Sequence, residues 1–512
     1  MSGVGPYVLA VDEGSSTARA VVVDAEGAIV AEARRPVLPI HDNPGWVEID
    51  PVRLWELQLA AICEAFHASG IRVDELAAVG LTTHRETAVV WDRATGRPLH
   101  HAIMWMSSQT DEIVHQWSAD GLDDKVRRST GLHNDSYYTA AKIAWILRHV
   151  DGAQDRARRG ELAAGTVDTW LLWNLTGGRS HLTDHTEASR TAMFDLETLD
   201  WDHELLAAYD IPVELLATPV ASDAGFGELL PEILGAAVPI TAVLGDQQAS
   251  MYGQGCFTPG SAKNTYGTAG VLTVSCGTEP RPIDGLTTGV SWTLRGETRY
   301  GVEGVVAHCG QALQWLRDRF GTAWVGANAD RALDLVADTD GVYMVPAFAG
   351  LWAPALDRRA RGGLVGLSLA TTVEHMLRAA IESMAYQTLD IVDALRAGDL
   401  DLTELRVDGG GARSDALCQF QADLLGIPLA RSAQLERTAL GIAFAAGASS
   451  GLWAGEADVA STWSQDRVFE PSMDGARRDE LVDGWRSALA SVRAHTPGPR
   501  RSGTPHPERN PA

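Results

Sequence analysis

An α/β fold divided into at least two domains is what this sequence predicts, and three observations predict it. The chain has 512 residues, too many for one hydrophobic core. Short apolar runs end in Gly-rich polar turns and alternate with segments of helical periodicity. A strand–turn–strand pattern near the N-terminus, AVD-EGSS-TARAVVV, is echoed halfway along by AKN-TYGT-AGVLTVS.

The elements follow in order. Residues 7–24 read as two strands around Asp12-Glu13-Gly14-Ser15-Ser16. Asp42-Asn43-Pro44-Gly45 is a turn by composition, and an amphipathic helix runs from about Val52 to Ser69. Residues 76–92 are strand, polar elbow at Thr82–Thr87, and strand; a short apolar run ends at Trp105. Helical spacing returns over Ala140–Val150. Ile240–Leu244 is a buried strand ended by Gly245, with Asp246 just beyond its tip, where open α/β sheets bind ligands. The stretch Gly253–Pro259 marks the domain boundary, giving domains 1–252 and 253–496 and a disordered tail 497–512. In the second half a long helix spans Val373–Arg396, opened by a capping box Thr371-x-x-Glu374. Residues 405–426 are strand, Gly409-Gly410-Gly411, and helix with Gly426 as its stop, and Ala439–Gly451 is a small-residue helix packed closely in a core.

Composition limits the function. The formal charge of −25 argues against nucleic acid and against an anionic membrane surface. No run reaches the roughly 18 apolar residues of a membrane span, and the N-terminus lacks the basic region of a signal peptide. Five scattered cysteines with no C-x-x-C pair point to a reducing cytoplasm. Neither a P-loop nor a G-x-G-x-x-G signature is present, and the histidines show no metal-ligand spacing.

A carboxylate at a strand tip, Asp246, followed by the hydroxyl-rich turn Asn264–Gly270, suits phosphoryl transfer to an alcohol. Several residues each admit two readings. Asp12 caps its own turn or helps to hold Mg²⁺ through water. Arg85-Glu86 is a surface ion pair or a pair of ions that grips a vicinal diol. Trp105 is a core residue or the apolar wall of a polyol site, and Tyr137 is structural or donates its hydroxyl. The three glycines at 409–411 make a tight turn or admit a ligand to the backbone.

Taken together the chain resembles the FGGY carbohydrate kinases, most closely their glycerol-phosphorylating branch, over about residues 7–455. The stretches that carry the resemblance include PGWVEIDP (44–51), RETAVVWD (85–92), GTVDTWL (165–171), ASRT (188–191), GDQQA (245–249), AKNTYGT (262–268), GGLVGLSLATTVEHMLRAAIE (362–382) and RVDGG (406–410). The resemblance implies an actin-like ATPase fold, with two ribonuclease-H-like domains around a central cleft. It implies ATP and Mg²⁺ as cofactors, a small polyol as substrate, and no nucleic acid or membrane partner; a homodimer and a homotetramer both stay open. By the same resemblance Asp246 is the general base, and Arg85, Glu86, Trp105, Tyr137, Asp246 and Gln247 bind the polyol. Ser15, Ser16, Arg19, Thr268, Gly310, Gln314, Gly411 and Asp415 stand at nucleotide-contact positions, and Asp12 at the metal position. The chain departs from that branch at Glu13, His84, Ser107, Gln109, Val271, Trp352 and Asp415. Val271 stands where an aromatic is usual, so a tetritol, pentitol or ketopentose is the alternative substrate. An assembly or nucleotide-gated binding protein on the same fold is a third reading.

Overall fold

The computed structural model describes residues 6–267, 269–320, 333 and 335–495. Two central sheets organise it. The first half forms a six-stranded sheet whose order, from one edge, is Glu228–Leu229, Val238–Gly245, Leu76–Thr83, Tyr7–Glu13, Thr17–Val23 and Ile29–Pro36. Tyr7–Glu13 runs parallel to Leu76–Thr83, which runs parallel to Val238–Gly245; the hairpin strand Thr17–Val23 runs antiparallel to the first. The second half repeats the scheme in a seven-stranded sheet. Ser261–Tyr266 pairs antiparallel with Gly270–Gly277 and parallel with Glu404–Asp408, which is parallel to Leu429–Ser432. The echo seen in the sequence is therefore a repeated topology.

Helices cover these sheets where apolar residues fall at helical spacing. Pro51–Ser69 lays Leu54, Ala61, Ile62 and Ala65 against Leu9, Val11 and Val22 of the first sheet. Asp50 caps its start, accepting from Val52 N at 2.9 Å. Val373–Ala397 lays Ile381, Ala385 and Leu389 on the second sheet. Its capping box lies one residue later than the sequence pattern suggests. Thr372 is the cap, and His375 Nδ1 accepts from Thr372 N at 3.1 Å in place of Glu374. The register of the helix against its core sets the cap, and a motif match cannot see that register.

The other face of the first sheet is covered from the second half. Helix Arg437–Ser449 packs Ala439, Ile442, Ala443 and Ala446 on Val8, Ala10, Ala78 and Ala242. It also crosses helix Asp246–Gly253 so closely that a Cβ on Gly441 would lie 1.8 Å from Ala249 O. This junction of small residues joins the two halves directly beneath Asp246. No described helix is long and apolar enough to cross a membrane, and among the described residues there is no disulfide.

Candidate active site

Strand register puts the candidate residues together. Asp12 pairs with Thr82 and Thr82 with Leu244; Glu13 pairs with Thr83 and Thr83 with Gly245. The turn at Gly14–Ser16, the elbow at Arg85–Glu86 and Asp246 therefore emerge at one edge, the carboxyl ends of three parallel strands. In the second sheet Thr265 pairs with Asp408, so Gly267 and Gly409–Gly411 emerge together in the same way.

Asp246 is the first residue of its helix, with Gly245 before it. Its negative charge sits where the helix dipole favours one. Gly245 must be glycine because a Cβ there would meet Arg85 Cδ at 2.7 Å. Arg85 Nε lies 3.3 Å from Asp246 Oδ1, and Gln247 N donates to the same oxygen at 2.7 Å. The carboxylate is fixed from two sides and stays partly open, with 26% of its side chain exposed.

Arg85 and Glu86 are not a surface pair; both are buried. Arg85 donates to Glu303 Oε2 and Oε1 at 2.9 and 3.1 Å. Arg190 Nε donates to Glu86 Oε1 at 2.7 Å, and its Nη2 lies 2.9 Å from Glu303 Oε1. Two cations and two anions thus share one buried site, and one of the anions comes from the other half of the chain. Burial pushes the Glu303 carboxyl up, but Arg190 and Arg85 outweigh it and hold it down at about 2. Glu86 takes a left-handed φ of 65°, a conformation that costs of order 1–3 kcal/mol in a non-glycine residue and marks an over-determined site. Thr139 Oγ1 donates to its carbonyl at 3.2 Å.

Trp105 and Tyr137 meet edge to face at 5.7 Å. Trp105 Nε1 donates to Ser15 Oγ at 2.8 Å, tying the aromatic wall to the first turn. Burial pushes the Tyr137 phenol well up, so it keeps its proton. A cavity of about 490 Å³ opens beside them, bounded by Trp105, Ser107 and Tyr137 from the first half and by Phe348 and Trp352 from the second. It does not include Arg85, Glu86 or Asp246. A second cavity, of about 470 Å³, is lined by Gly267, Gly310, Gly411, Ser414 and Leu417.

Of the candidate nucleotide residues, Gly310 and Gly411 line that second cavity, whereas Gln314 and Asp415 do not. Gln314 donates to Asp318, and Asp415 is paired with Arg431 and Arg467. Thr268 lies outside the described residues, as does the tail 497–512. Ser15 is half-buried and Ser16 exposed at the first turn. Arg19 is buried; it binds Glu436 of the second half at 2.6 Å and lies 3.9 Å from Asp12.

Asp12 is pushed up to about 7, chiefly by burial; Arg19 opposes the rise and Asp246 adds to it. Two hard-oxygen donors that strain against each other's charge fit a divalent cation. Among the described residues no cluster of three or more His, Cys, Asp or Glu could hold a metal. The pair would supply part of a sphere completed by water and phosphate, as suits Mg²⁺.

Three participants escaped sequence reasoning. Glu303 sits in the buried second half of the strand Glu297–Val306, and an acid within the otherwise apolar run GVEGVV was the available signal. Arg190 lies in ASRT (188–191), a stretch whose sequence alone assigns it no role. Lys263 is buried against Gln247 Oε1 and Thr265 Oγ1, and burial pulls its ammonium below the usual range. His84 proves to be a back-of-site residue. It is 2% exposed, its backbone N donates to Glu13 O at 2.8 Å, and burial holds its ring neutral. Ser107 and Gln109 join each other and Glu48, bracing the loop below Trp105.

Comparison with known proteins accords with this geometry. The N-terminal domain profile of the FGGY family of carbohydrate kinases matches residues 7–253, and the C-terminal domain profile matches residues 262–450. The glycerol kinase of Carboxydothermus hydrogenoformans is 44% identical over 490 residues, covering 95% of this chain and 98% of that one. That of Stenotrophomonas maltophilia is 44% identical over 491 residues, with the same coverage. Among solved structures, Plasmodium falciparum glycerol kinase with ADP superposes with a TM-score of 0.87 at 29% identity, covering 95% of this chain and 98% of that chain. A gluconate kinase from Lactobacillus acidophilus, at 21% identity and TM-score 0.85, shares the fold.

Proposed function

The chain belongs to the FGGY family of carbohydrate kinases, and from that premise we propose that it transfers the terminal phosphoryl group of ATP to a primary hydroxyl of glycerol, giving sn-glycerol 3-phosphate and ADP. The observation that carries this reading is the position of Asp246, a partly open carboxylate at the strand tips beside the Arg85–Glu86 elbow, which stands between it and the first phosphate turn.

In this reading each step falls to a named residue. Glu86 accepts from two hydroxyls of the polyol while Arg85 donates to their oxygens, and Trp105 covers the carbon chain. Asp246 takes the proton of the primary hydroxyl as its oxygen bonds to the γ-phosphorus. The bond from that phosphorus to the β–γ bridging oxygen breaks, and ADP leaves with the electron pair. Backbone N–H groups around Gly267 and Gly411 hold the phosphates, and the cavity at Gly310 and Leu417 takes the adenosine. Asp12 and Asp246 would hold a Mg²⁺ through its water shell, and the ion would supply neutralisation of the phosphate charge there. We place the reaction in the cytoplasm, where ATP is available.

A second reading, a kinase of a longer polyol or ketose, is favoured by one observation: Val271, a short side chain, is the cross-strand partner of Val305, which lines a cavity shared with Arg190 and Glu303. A coupled assay of ADP release across glycerol, dihydroxyacetone, erythritol, threitol, ribitol, xylitol and xylulose separates the two. Glycerol is expected to lead, because a site built around given hydroxyls rejects poor matches by up to about 10⁴–10⁵. A clear lead for a five-carbon substrate would replace glycerol with that substrate.

A further inference from the structure

The two halves of the chain also meet at Trp352. This indole, from the second half, stands edge to face with Tyr137 of the first at 5.4 Å between ring centres. The Arg358 guanidinium lies 3.9 Å from the same ring centre, a cation–π contact. The same guanidinium reaches across the cleft and donates to Asp135 Oδ2 at 2.8 and 3.1 Å. The loop that carries both residues is folded on itself, Leu356 N donating to Trp352 O and Leu351 N to Asp357 O, each at 2.8 Å. The ring is thus clamped between a phenol and a guanidinium, each supported from the first half.

Its place explains why it is clamped. Trp352, Tyr137, Asp135 and Arg358 line two cavities at once: the one of about 490 Å³ beside Trp105, and a smaller one of about 50 Å³ that also touches Arg190 and Glu303. They form the partition between the two. Arg190 and Glu303 bind Glu86 and Arg85, so the small cavity adjoins the diol grip. The sheet offers little bulk there: Val305 lines the small cavity and Val271 is its cross-strand neighbour. The Trp352 Nε1 is buried and has no acceptor among the described residues.

We propose that Trp352 sets the chain length of the accepted polyol. This rests on the reading of the site as a polyol kinase. A three-carbon substrate held by Arg85 and Glu86 ends before the indole; each further carbon has to displace a ring pinned by Tyr137 and by the Arg358–Asp135 pair.

The test is kcat/KM for glycerol, erythritol and threitol in the wild type and in Trp352→Ala, Trp352→Phe and Arg358→Ala. A wall that meets one extra carbon discriminates by about 10–200-fold, so Trp352→Ala should raise the tetritol-to-glycerol ratio by at least about 10-fold. Trp352→Phe keeps a ring and should stay near the wild-type ratio, and Arg358→Ala, with the ring unpinned, should fall between. If Trp352→Ala does not fold, Trp352→Leu shortens the same wall and should raise the same ratio. Variants that phosphorylate glycerol with an unmoved ratio overturn the role of Trp352 alone. A wild type that releases ADP with no three- to five-carbon polyol overturns the kinase reading and this inference with it.

Discussion

Arg85, Glu86, Arg190 and Glu303 balance one another in a buried site, and that balance makes each hard to replace alone. Neutralising Glu303 leaves the two buried guanidinium groups with Glu86 between them and only the partly exposed Asp246 beside Arg85. Removing one partner from such a network costs about 3–5 kcal/mol, so Glu303→Gln should lower the denaturant midpoint and raise KM for the polyol together. Glu303 is held down at about 2 in the folded chain, below its usual range. Its contribution is therefore fully present above about pH 4.5 and is lost as pH falls toward 2. The stability difference between wild type and Glu303→Gln should be constant at neutral pH and shrink across that acid window; a constant gap down to the lowest pH would remove the ion-pair explanation. Arg85 and Glu86 entered the site through the family resemblance; by themselves two opposite ions at an elbow between strands read equally as a surface pair. Glu303 was not legible, because an acid inside GVEGVV has the same local pattern whether it faces water or a buried arginine. The pairing of Val271 with Val305, and hence the face on which Glu303 lies, belongs to the sheet and not to the segment.

At the scale of elements, the contact between helices Asp246–Gly253 and Arg437–Ser449 supports the base from below. The small-residue composition of Ala439–Gly451 indicated close packing, and the helix is packed closely; what it packs against was not readable, since the partner helix is distant in sequence. A Cβ at Gly441 would lie 1.8 Å from Ala249 O and 2.7 Å from Ala249 C, both of them backbone atoms that cannot swing aside. Gly441→Ala should cost at least about 1–3 kcal/mol, read as a lower denaturant midpoint, and should reduce kcat because Asp246 begins the displaced helix. An unchanged midpoint would mean that this junction gives way freely and does not position the base. The capping-box shift from Thr371 to Thr372 is a smaller case of the same limit. A motif fixes the kind of helix start, whereas the core fixes its register.

At the scale of the molecule, two sheets of one topology meet along a cleft, and each contributes to the site: Asp246 and Arg85 from the first, Glu303, Gly411 and Trp352 from the second. The repeated strand–turn–strand pattern made this architecture legible from the sequence, because each polar turn must emerge at the carboxyl end of its sheet. A divided site of this kind works by closure that excludes water. Glycerol together with a non-hydrolysable ATP analogue should therefore shrink the radius of gyration in small-angle scattering, more than either ligand alone. Catalysis by this site requires Asp246 to face the terminal phosphorus with an alcohol between them. Transfer of labelled γ-phosphate from ATP to glycerol, followed side by side in the wild type and in Asp246→Asn, tests this most directly. Labelled glycerol 3-phosphate is expected from the wild type, and from the variant intact nucleotide binding with transfer reduced by about 10²–10⁴-fold. Transfer by Asp246→Asn at a rate close to that of the wild type would contradict a role for Asp246 as the base.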